Sequence, residues 1–234
     1  MPDPVRLGEA TLYNADCKLI LPTLTGIDCV ITDPPYGVDY EGGHFHSGNV
    51  NIVRKREKLQ SDNEDVYGWL IPLLIKATSG ACYVFYAMDR GYWIHKALLD
   101  TDADIHSVLI WHKTNATYAA MNAQYKRRHE AILYFKRKGG NLQWCGKSTE
   151  STLLEFPREP ENEYHPTQKP VGLIQHLIAN HNAETVLDCM MGSGTTGVAC
   201  MKLGRRFVGI EIEKKYFDIA CERIEREVDQ GKLW

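Results

Sequence analysis

The chain has 234 residues, of which 44% are hydrophobic and 24% charged, and its formal net charge is −3. This length forms one large hydrophobic core or at most two small ones, and the composition is that of an ordinary soluble globular protein. No apolar run approaches the roughly 20 residues of a membrane span, and the start shows no signal-peptide pattern. The seven cysteines are scattered without a CxxC pair, so we expect neither a zinc or other metal site nor a disulfide framework. A reducing cytoplasm is therefore the expected location.

Short segments rich in β-branched or aromatic residues predict strands at 11–15, 28–32, 81–87, 107–113, 130–137, 185–189 and 205–211. Helical periodicity follows in 170–181 and 213–228. The apolar face of the second helix is predicted to comprise Tyr216, Ile219, Ala220, Ile224 and Val228. Strands alternating with helices indicate an α/β domain with a mostly parallel sheet. Segments 107–113 and 130–137 have no helical pattern between them, which predicts an antiparallel pair at one edge.

The stretch ITDPPYGVDY, residues 31–40, places an acid and an aromatic ring around two prolines at the end of a predicted strand. Proline donates no backbone hydrogen bond and has a fixed φ, so Pro34 and Pro35 must end the strand in a stiff, extended turn. Such a turn presents the Asp33 carboxylate, the Tyr36 ring and carbonyls without strand partners, which suits a flat polar ligand. A simple Pro-Pro loop with a capping aspartate explains these four residues alone equally well.

A second motif lies near the C-terminus. A predicted strand ends at Asp188, and Gly192-x-Gly194-x-x-Gly197 leads into a helix and then a strand ending at Glu211. Glycines let a backbone pass close to a nucleotide, and an acid about 20 residues later is placed to bind ribose hydroxyls. A phosphate-binding Walker A loop is excluded because no Gly-Lys-Ser/Thr follows.

The late position of this motif predicts a circularly permuted fold, since room for only one helix remains after Glu211. The other strands must come from the N-terminal side. The strand at 11–15 should therefore lie next in space, with Asp16 at its tip. Asp16 and Asp33 should both lie at the carboxyl edge, where open α/β sheets bind ligands.

Basic residues cluster although the net charge is negative. Residues 113–147 hold eight Lys or Arg against one acid, and a second cluster lies at 54–58. Solvated faces are the ordinary explanation of such runs, but interleaved aromatic residues favour a polyanionic partner. Stretches 39–62 and 139–164 lack regular patterns and exceed ordinary loop lengths, which indicates functional insertions or, for the first, a disordered one.

Several motifs together resemble the β-class DNA amino-methyltransferases: DPPY at 33–36, HPTQKP at 165–170 and the glycine motif just after it. NADC, WHK, RRHEAILYFKRKG and GIEIEKKYFDIA also fall in that family's order, so the resemblance covers nearly the whole chain. It implies a single catalytic domain over 1–234 with a permuted Rossmann-like fold. It also implies transfer of methyl from S-adenosylmethionine to adenine N6, or to cytosine N4, in double-stranded DNA, in a restriction–modification setting. The family usually has a Pro and a Phe after the Asp of this motif, whereas this chain reads DCMMGSGTT from Asp188, so that Met190 and Met191 would supply softer apolar contacts.

The resemblance also implies roles for individual residues. The catalytic turn is Asp33, Pro34, Pro35 and Tyr36. The cofactor-binding residues are Asp16, His165, Thr167, Lys169, Asp188, Met190, Gly192, Ser193, Gly194, Thr195, Thr196 and Glu211. The DNA-binding residues are Arg54, Lys55, Arg56, Lys113, Lys126, Arg127 and Arg128. The resemblance makes residues 39–62 a mobile target loop and residues 139–164 a short recognition region. Members of the family often form homodimers, so a homodimer is a possible assembly here.

Alternatives stay open at this point. An acid in the first position of DPPY favours adenine over cytosine in the family. An NAD-dependent oxidoreductase would use the same glycine motif but leaves DPPY and HPTQKP unexplained. A DNA-binding module with an inactive cofactor site and an RNA substrate are further possibilities. A C5-cytosine enzyme is excluded, because that chemistry needs a cysteine nucleophile, usually after proline, and no cysteine here follows one.

Overall fold

The computed structural model describes residues 2–35, 45–47, 50–52, 66–115, 125, 128–159 and 168–231. Most of the predicted target loop at 39–62 lies outside the described residues. So do the following residues with predicted roles: Tyr36, Arg54, Lys55, Arg56, Lys126, Arg127, His165 and Thr167.

The described part of the chain forms a nine-stranded sheet, a two-stranded ribbon and six α-helices. The strands are β1 (Val5–Leu7), β2 (Ala10–Asn14), β3 (Ile27–Thr32), β4 (Phe45–Ser47), β5 (Val50–Ile52), β6 (Thr78–Tyr86), β7 (Ala103–Lys113), β8 (His129–Arg137), β9 (Leu153–Phe156), β10 (Thr185–Asp188) and β11 (Arg206–Glu211). The helices are α1 (Cys17–Ile20), α2 (Val66–Ala77), α3 (Gly91–Leu99), α4 (Val171–Ala179), α5 (Thr195–Lys202) and α6 (Lys214–Gly231).

The order of strands in the large sheet is β1-β2-β11-β10-β3-β6-β8-β7-β9. Strands β2, β11, β10, β3 and β6 run parallel, which confirms the predicted α/β class. The late β10–α5–β11 unit lies between β2 and β3, so the fold is permuted as the position of the glycine motif predicts. Strand β2 pairs with β11 as expected, whereas β3 lies on the other side, against β10.

The antiparallel pair is confirmed but is not at the edge of the sheet. Strand β8 pairs with both β6 and β7, and β9 then adds to β7 in parallel. The edge strand thus comes from the 139–164 insertion, whose pattern was too short and mixed to predict a strand. At the opposite edge β1 pairs with β2.

Two apolar cores lie on the two faces of the sheet, because successive strand residues point to opposite sides. Helices α4, α5 and α6 cover one face, and α1, α2 and α3 contribute to the core on the other. The predicted face of α6 is partly wrong: Phe217, Ala220 and Ile224 are buried together with Arg223, whereas Tyr216 and Ile219 remain partly exposed.

One glycine fixes the distance between β3 and β6, the strand pair beside the predicted catalytic turn. A methyl group at Gly80 would lie 1.7 Å from the carbonyl oxygen of Asp28. We expect Gly80→Ala to lower the free energy of unfolding by about 3 kcal/mol, because the backbone must shift to admit the new atom. Gly172→Ala in α4 is the matched control, since its nearest neighbour would be 3.7 Å away and alanine favours a helix. Urea denaturation measures both, and equal stabilities for the two variants would contradict this account.

Candidate active site

Four neighbouring strands end at the same edge of the sheet, and each carries a residue with a predicted role. Asp16 follows β2, Glu211 ends β11, Asp188 ends β10 and Asp33 follows β3. Because parallel strands have their carboxyl ends at one edge, the sheet order alone brings these four acids into one row. This edge is where open α/β sheets bind their ligands.

The loop between β10 and α5 needs its glycines for two different reasons. Gly192 and Gly194 have φ of 51° and 81°, a left-handed conformation that other residues rarely adopt. A Cβ at Gly194 would also lie 2.8 Å from the Cβ of Ala220, so the loop runs close against α6. Gly197, in the first turn of α5, is needed for the same packing reason, since a side chain there would collide with Ile224 and Phe207.

Arg223 braces the glycine loop from α6, a contact that the sequence analysis missed. Its guanidinium donates to the carbonyl oxygen of Ser193 at 2.6 Å, to the Ser193 hydroxyl at 3.0 Å and to the Thr195 hydroxyl at 3.4 Å. The hydroxyls of Ser193 and Thr195 are therefore held by α6, although both residues were predicted to contact a cofactor. The available signal was one arginine on the apolar stripe of an amphipathic helix.

Glu211 connects the glycine loop to the end of β11. One carboxylate oxygen accepts from the Gly192 N–H at 2.8 Å, and the other accepts from the Glu213 N–H at 2.8 Å. Burial raises the pKa of Glu211, and these two N–H groups offset part of that rise. Each oxygen keeps a further lone pair, so the carboxylate retains acceptors for the ribose hydroxyls that the sequence motif predicts.

Asp188 is directed into the protein. Its carboxylate accepts from the Thr196 hydroxyl at 2.6 Å and from the Met190 N–H at 3.2 Å. Burial raises its pKa from 3.8 to about 7, against the opposing effect of these hydrogen bonds. Asp188 and Thr196 thus fix the start of the loop to α5, whatever contact they make with a ligand.

The two methionines of the loop occupy different environments. Met191 is buried in the core, in the space above Gly209, where a Cβ would lie 2.3 Å from its sulfur. Met190 is partly exposed and packs at the border of the other core. Of the two, Met190 is the one placed to meet a ligand at the sheet edge.

The predicted catalytic turn is connected to the end of the HPTQKP segment by an ion pair between Asp33 and Lys169. The Lys169 ammonium contacts the Asp33 carboxylate, lies 3.2 Å from a carboxylate oxygen of Glu130 and is 4.9 Å from the centre of the Phe85 ring. Burial alone would lower the pKa of Lys169, but the two carboxylates outweigh it and raise the pKa above its ordinary value. Sequence reasoning placed Lys169 beside the cofactor and did not predict its contact with Asp33.

Other predicted residues have the following places. Pro34 is buried, Pro35 partly so, and the carboxylate of Asp16 caps α1 through the Lys18 N–H at 2.9 Å. Arg128 is exposed just before β8. Lys113 is held at the end of β7 by Glu130, so its predicted contact with DNA stays a prediction.

One further side chain near Asp33 was not predicted. The Tyr67 hydroxyl on α2 is buried and has no hydrogen-bond partner among the described residues. Burial raises the pKa of Tyr67, and the Asp33 carboxylate adds to the rise. The charge of Asp33 therefore acts on the phenol of Tyr67, which belongs to the core on the face of the sheet where α1, α2 and α3 pack.

The geometry defines a class of protein with a nucleotide-type glycine loop beside an acidic Pro-Pro turn. A profile of the DNA methylase family matches residues 27–222, and the chain belongs to that family. The Type II methyltransferase M2.DpnII of Streptococcus pneumoniae is 26% identical over an aligned length of 229 residues, gaps included, and the match covers 86% of this chain and 83% of that protein. M2.MboI of Moraxella bovis, also named a Type II methyltransferase, is 25% identical over an aligned length of 218 residues, with 84% of this chain and 80% of that one covered.

Solved structures agree with the fold. The M1.HpyAVI–SAM complex is 28% identical with a TM-score of 0.68, covering 92% of this chain and 99% of that chain. The PvuII DNA methyltransferase, named cytosine-N4-specific, has a TM-score of 0.69 at 15% identity, covering 96% and 91%. At that identity the second likeness shows the fold alone.

Asp188 should make stability fall as pH rises. Its pKa in the folded protein, about 7, exceeds the 3.8 of an exposed aspartate, so the folded state holds a proton that the unfolded state has released between these values. Between pH 5 and 8, the wild type should lose free energy of unfolding as Asp188 gives up its proton, and Asp188→Asn should not have this loss. The difference in free energy of unfolding between the two proteins should therefore shift in favour of Asp188→Asn as pH rises. Guanidinium denaturation at pH 5.5 and 8 tests this, with Asp28→Asn on another hydrogen-bonded aspartate as control. Parallel curves for Asp188→Asn and the wild type would contradict it.

Proposed function

We propose that this chain transfers a methyl group from S-adenosylmethionine to the exocyclic N6 amine of a flipped adenine in double-stranded DNA. The observation that carries the proposal is the adjacency of the Asp33 turn and the glycine loop at the ends of paired strands β3 and β10. Membership of the DNA methylase family and the S-adenosylmethionine complex of M1.HpyAVI support it. The whole chain, 1–234, is taken as one catalytic domain.

The residues at the sheet edge fit the proposed cofactor. Glu211 offers carboxylate acceptors for ribose hydroxyls, and the positive φ of Gly192 and Gly194 gives a backbone surface with no side chain in the way. Asp16 lies at the end of β2, next to β11, and Met190 lies in the glycine loop itself. When bound, S-adenosylmethionine supplies an electrophilic methyl group.

The catalytic turn would prepare the amine for attack. An exocyclic amine is a poor nucleophile because its lone pair is delocalised into the ring. The Asp33 carboxylate and the Pro34 carbonyl, accepting one N–H each, would localise that pair and orient it. The amine nitrogen would then gain the methyl group as the sulfonium S–CH3 bond breaks and S-adenosylhomocysteine leaves, and the nitrogen would release one proton to solvent. Alignment is the main task that remains for the protein. Tyr36, by resemblance, would stack on the base, a contact worth roughly 1–3 kcal/mol.

The substrate geometry requires base flipping. An amine paired inside a duplex cannot reach a buried turn, so the target nucleotide must leave the stack. We propose adenine over cytosine because, in the family that this chain resembles, an acid at the first position of DPPY favours adenine, and Asp33 is that acid here. The relation to the cytosine-N4-specific PvuII enzyme rests on fold, so N4-cytosine remains the alternative product.

Partners and setting follow from the same proposal. Arg128, which is exposed before β8, and the basic residues at 54–56 and 126–127 would contact phosphates and position the duplex without reading its sequence. Residues 139–164 would serve target recognition. Homodimerisation and a cytoplasmic location stay predictions. No helix in the described part of the chain is long and apolar enough to cross a membrane.

Methyl transfer is tested with purified protein, unmethylated plasmid DNA and tritiated S-adenosylmethionine. We expect label in N6-methyladenine after digestion to nucleosides. Asp33→Ala should reduce the rate by at least about 100-fold, the effect of removing one preorganised polar group. The variant should still bind S-adenosylmethionine.

Other outcomes of this assay are distinguishable. Label in N4-methylcytosine would keep the mechanism and change the base. Label in RNA but not in DNA would overturn the proposed substrate. A wild-type protein that binds no S-adenosylmethionine in calorimetry would overturn the proposed function altogether.

Phosphate contacts are tested by two arginines at opposite ends of one strand. Arg128 precedes β8 at the site edge, and Arg137 ends β8 at the far edge; both are exposed. Arg128→Ala should weaken DNA binding and reduce the slope of log K against log salt by about 1, while Arg137→Ala should change neither. Equal slopes for both variants and the wild type would remove Arg128 from the interface.

A further inference from the structure

Four charged side chains of alternating sign run from the catalytic turn to the end of β7. The Asp33 carboxylate contacts the Lys169 ammonium, which lies 3.2 Å from Glu130; the other oxygen of Glu130 lies 2.5 Å from the Lys113 ammonium. Their side chains are 25%, 8%, 21% and 16% exposed along this series. The series connects four segments that are far apart in the chain.

Burial makes each member dependent on its neighbours. A buried charge without a partner is costly, and removing one member of a buried pair leaves the other uncompensated. Burial alone would raise the pKa of Glu130, but Lys169 and Lys113 lower it well below its usual range. Glu130 therefore stays ionised, and the two ammonium groups fix both of its oxygens.

Aromatic rings restrict both lysines further. The Lys169 ammonium lies 4.9 Å from the Phe85 ring centre, and the Lys113 ammonium lies 4.9 Å from that of Trp111. Trp111 is itself fixed, because its indole N–H donates to the carbonyl oxygen of Phe156 at 2.9 Å. The Lys113 end of the series is thus held at the paired strands β7 and β9.

We propose that Glu130 is a positioning residue for methyl transfer: anchored by Lys113, it holds the Lys169 ammonium against the Asp33 carboxylate and so keeps that carboxylate in place to accept the amine N–H. The inference rests on the proposed function. It gives Lys113 a role through Glu130 in place of a phosphate contact.

Among the described residues, charged groups from three elements face Lys169 or its partners. Asp33 faces Lys169 from the β3 turn and Glu130 faces it from β8, with Lys113 behind Glu130 on β7. Tyr67 and Asp188 are within the electrostatic reach of Asp33. Loss of the Glu130 charge removes one of two carboxylates that keep the Lys169 proton bound, so Lys169 must then release it at lower pH.

The experiment compares Glu130→Gln, Lys113→Met and Lys136→Met in the full chain. Lys136 is the matched control: it is 15% exposed and pairs with Asp104 at 2.9 Å across the same two strands, at the far edge of the sheet. Initial rates at saturating DNA and S-adenosylmethionine are measured from pH 6 to 10. The salt dependence of DNA binding is measured for each variant.

Glu130→Gln should lower kcat at least tenfold and leave the KM for S-adenosylmethionine within about threefold. In the plot of kcat against pH, the fall at alkaline pH should begin about one pH unit or more lower, because Lys169 then releases its proton at lower pH. Lys113→Met should lower kcat without changing the salt slope, and Lys136→Met should leave kcat unchanged. An unmoved limb in Glu130→Gln would overturn the proposal. So would a Lys113→Met variant with normal kcat and a salt slope reduced by about 1.

A second readout does not need activity. The pKa of Lys169 is measured by NMR of isotopically labelled lysine in wild type, Glu130→Gln and the conservative Glu130→Asp. A lower pKa in Glu130→Gln that Glu130→Asp restores supports the proposal, and an unchanged pKa overturns it. If the wild type transfers no methyl to any DNA, the proposed function fails, while this titration still decides whether Glu130 controls Lys169.

Discussion

The parallel pairing of β3 with β10 is the constraint on which the site depends. Cys29 lies opposite Val186 and Val30 opposite Leu187, so two strands more than 150 residues apart in the chain end side by side. Prolines follow the first strand and stop it, and the second strand leads into a loop in which Gly192 and Gly194 have a left-handed conformation. A carboxylate and an open backbone surface are left together at one edge. Shifting this register by one residue would turn the core side chains to the wrong faces.

Three supports keep the two loops in place. Arg223 holds the glycine loop from α6, Glu211 binds its Gly192 N–H, and Lys169 holds the Asp33 carboxylate. All are buried charged groups, which are stable only with partners of matching charge or hydrogen-bonding capacity. Their effect is to preorganise the edge before any ligand arrives. A site of this kind gains most from alignment, which is what methyl transfer to an amine demands.

Much of the fold and of the site's outline was predictable from sequence. Seven strands, α4 and the carboxyl-edge row of acids follow from short-range periodicity and from the late position of the glycine motif. Helix α2 was not predicted, since it is apolar over most of its surface and has Pro72 in its interior. The pairing of Lys169 with Asp33 spans 136 residues and has no periodic signal. The burial of Arg223 was not predicted, because an analysis of helical periodicity counts arginine among the polar residues that face solvent.

The central claim is that the glycine loop binds S-adenosylmethionine while the Asp33 turn acts only on the amine. Calorimetric titration of S-adenosylmethionine into wild type, Asp33→Asn and Arg223→Met tests it most directly, with exposed Arg206→Met as control. We expect Asp33→Asn and Arg206→Met to bind S-adenosylmethionine with wild-type affinity. Arg223→Met should bind it at least tenfold more weakly, because the glycine loop has lost its hydrogen bonds to the guanidinium. Normal affinity in Arg223→Met together with lost binding in Asp33→Asn would contradict it, because the cofactor would then be held by the Pro-Pro turn.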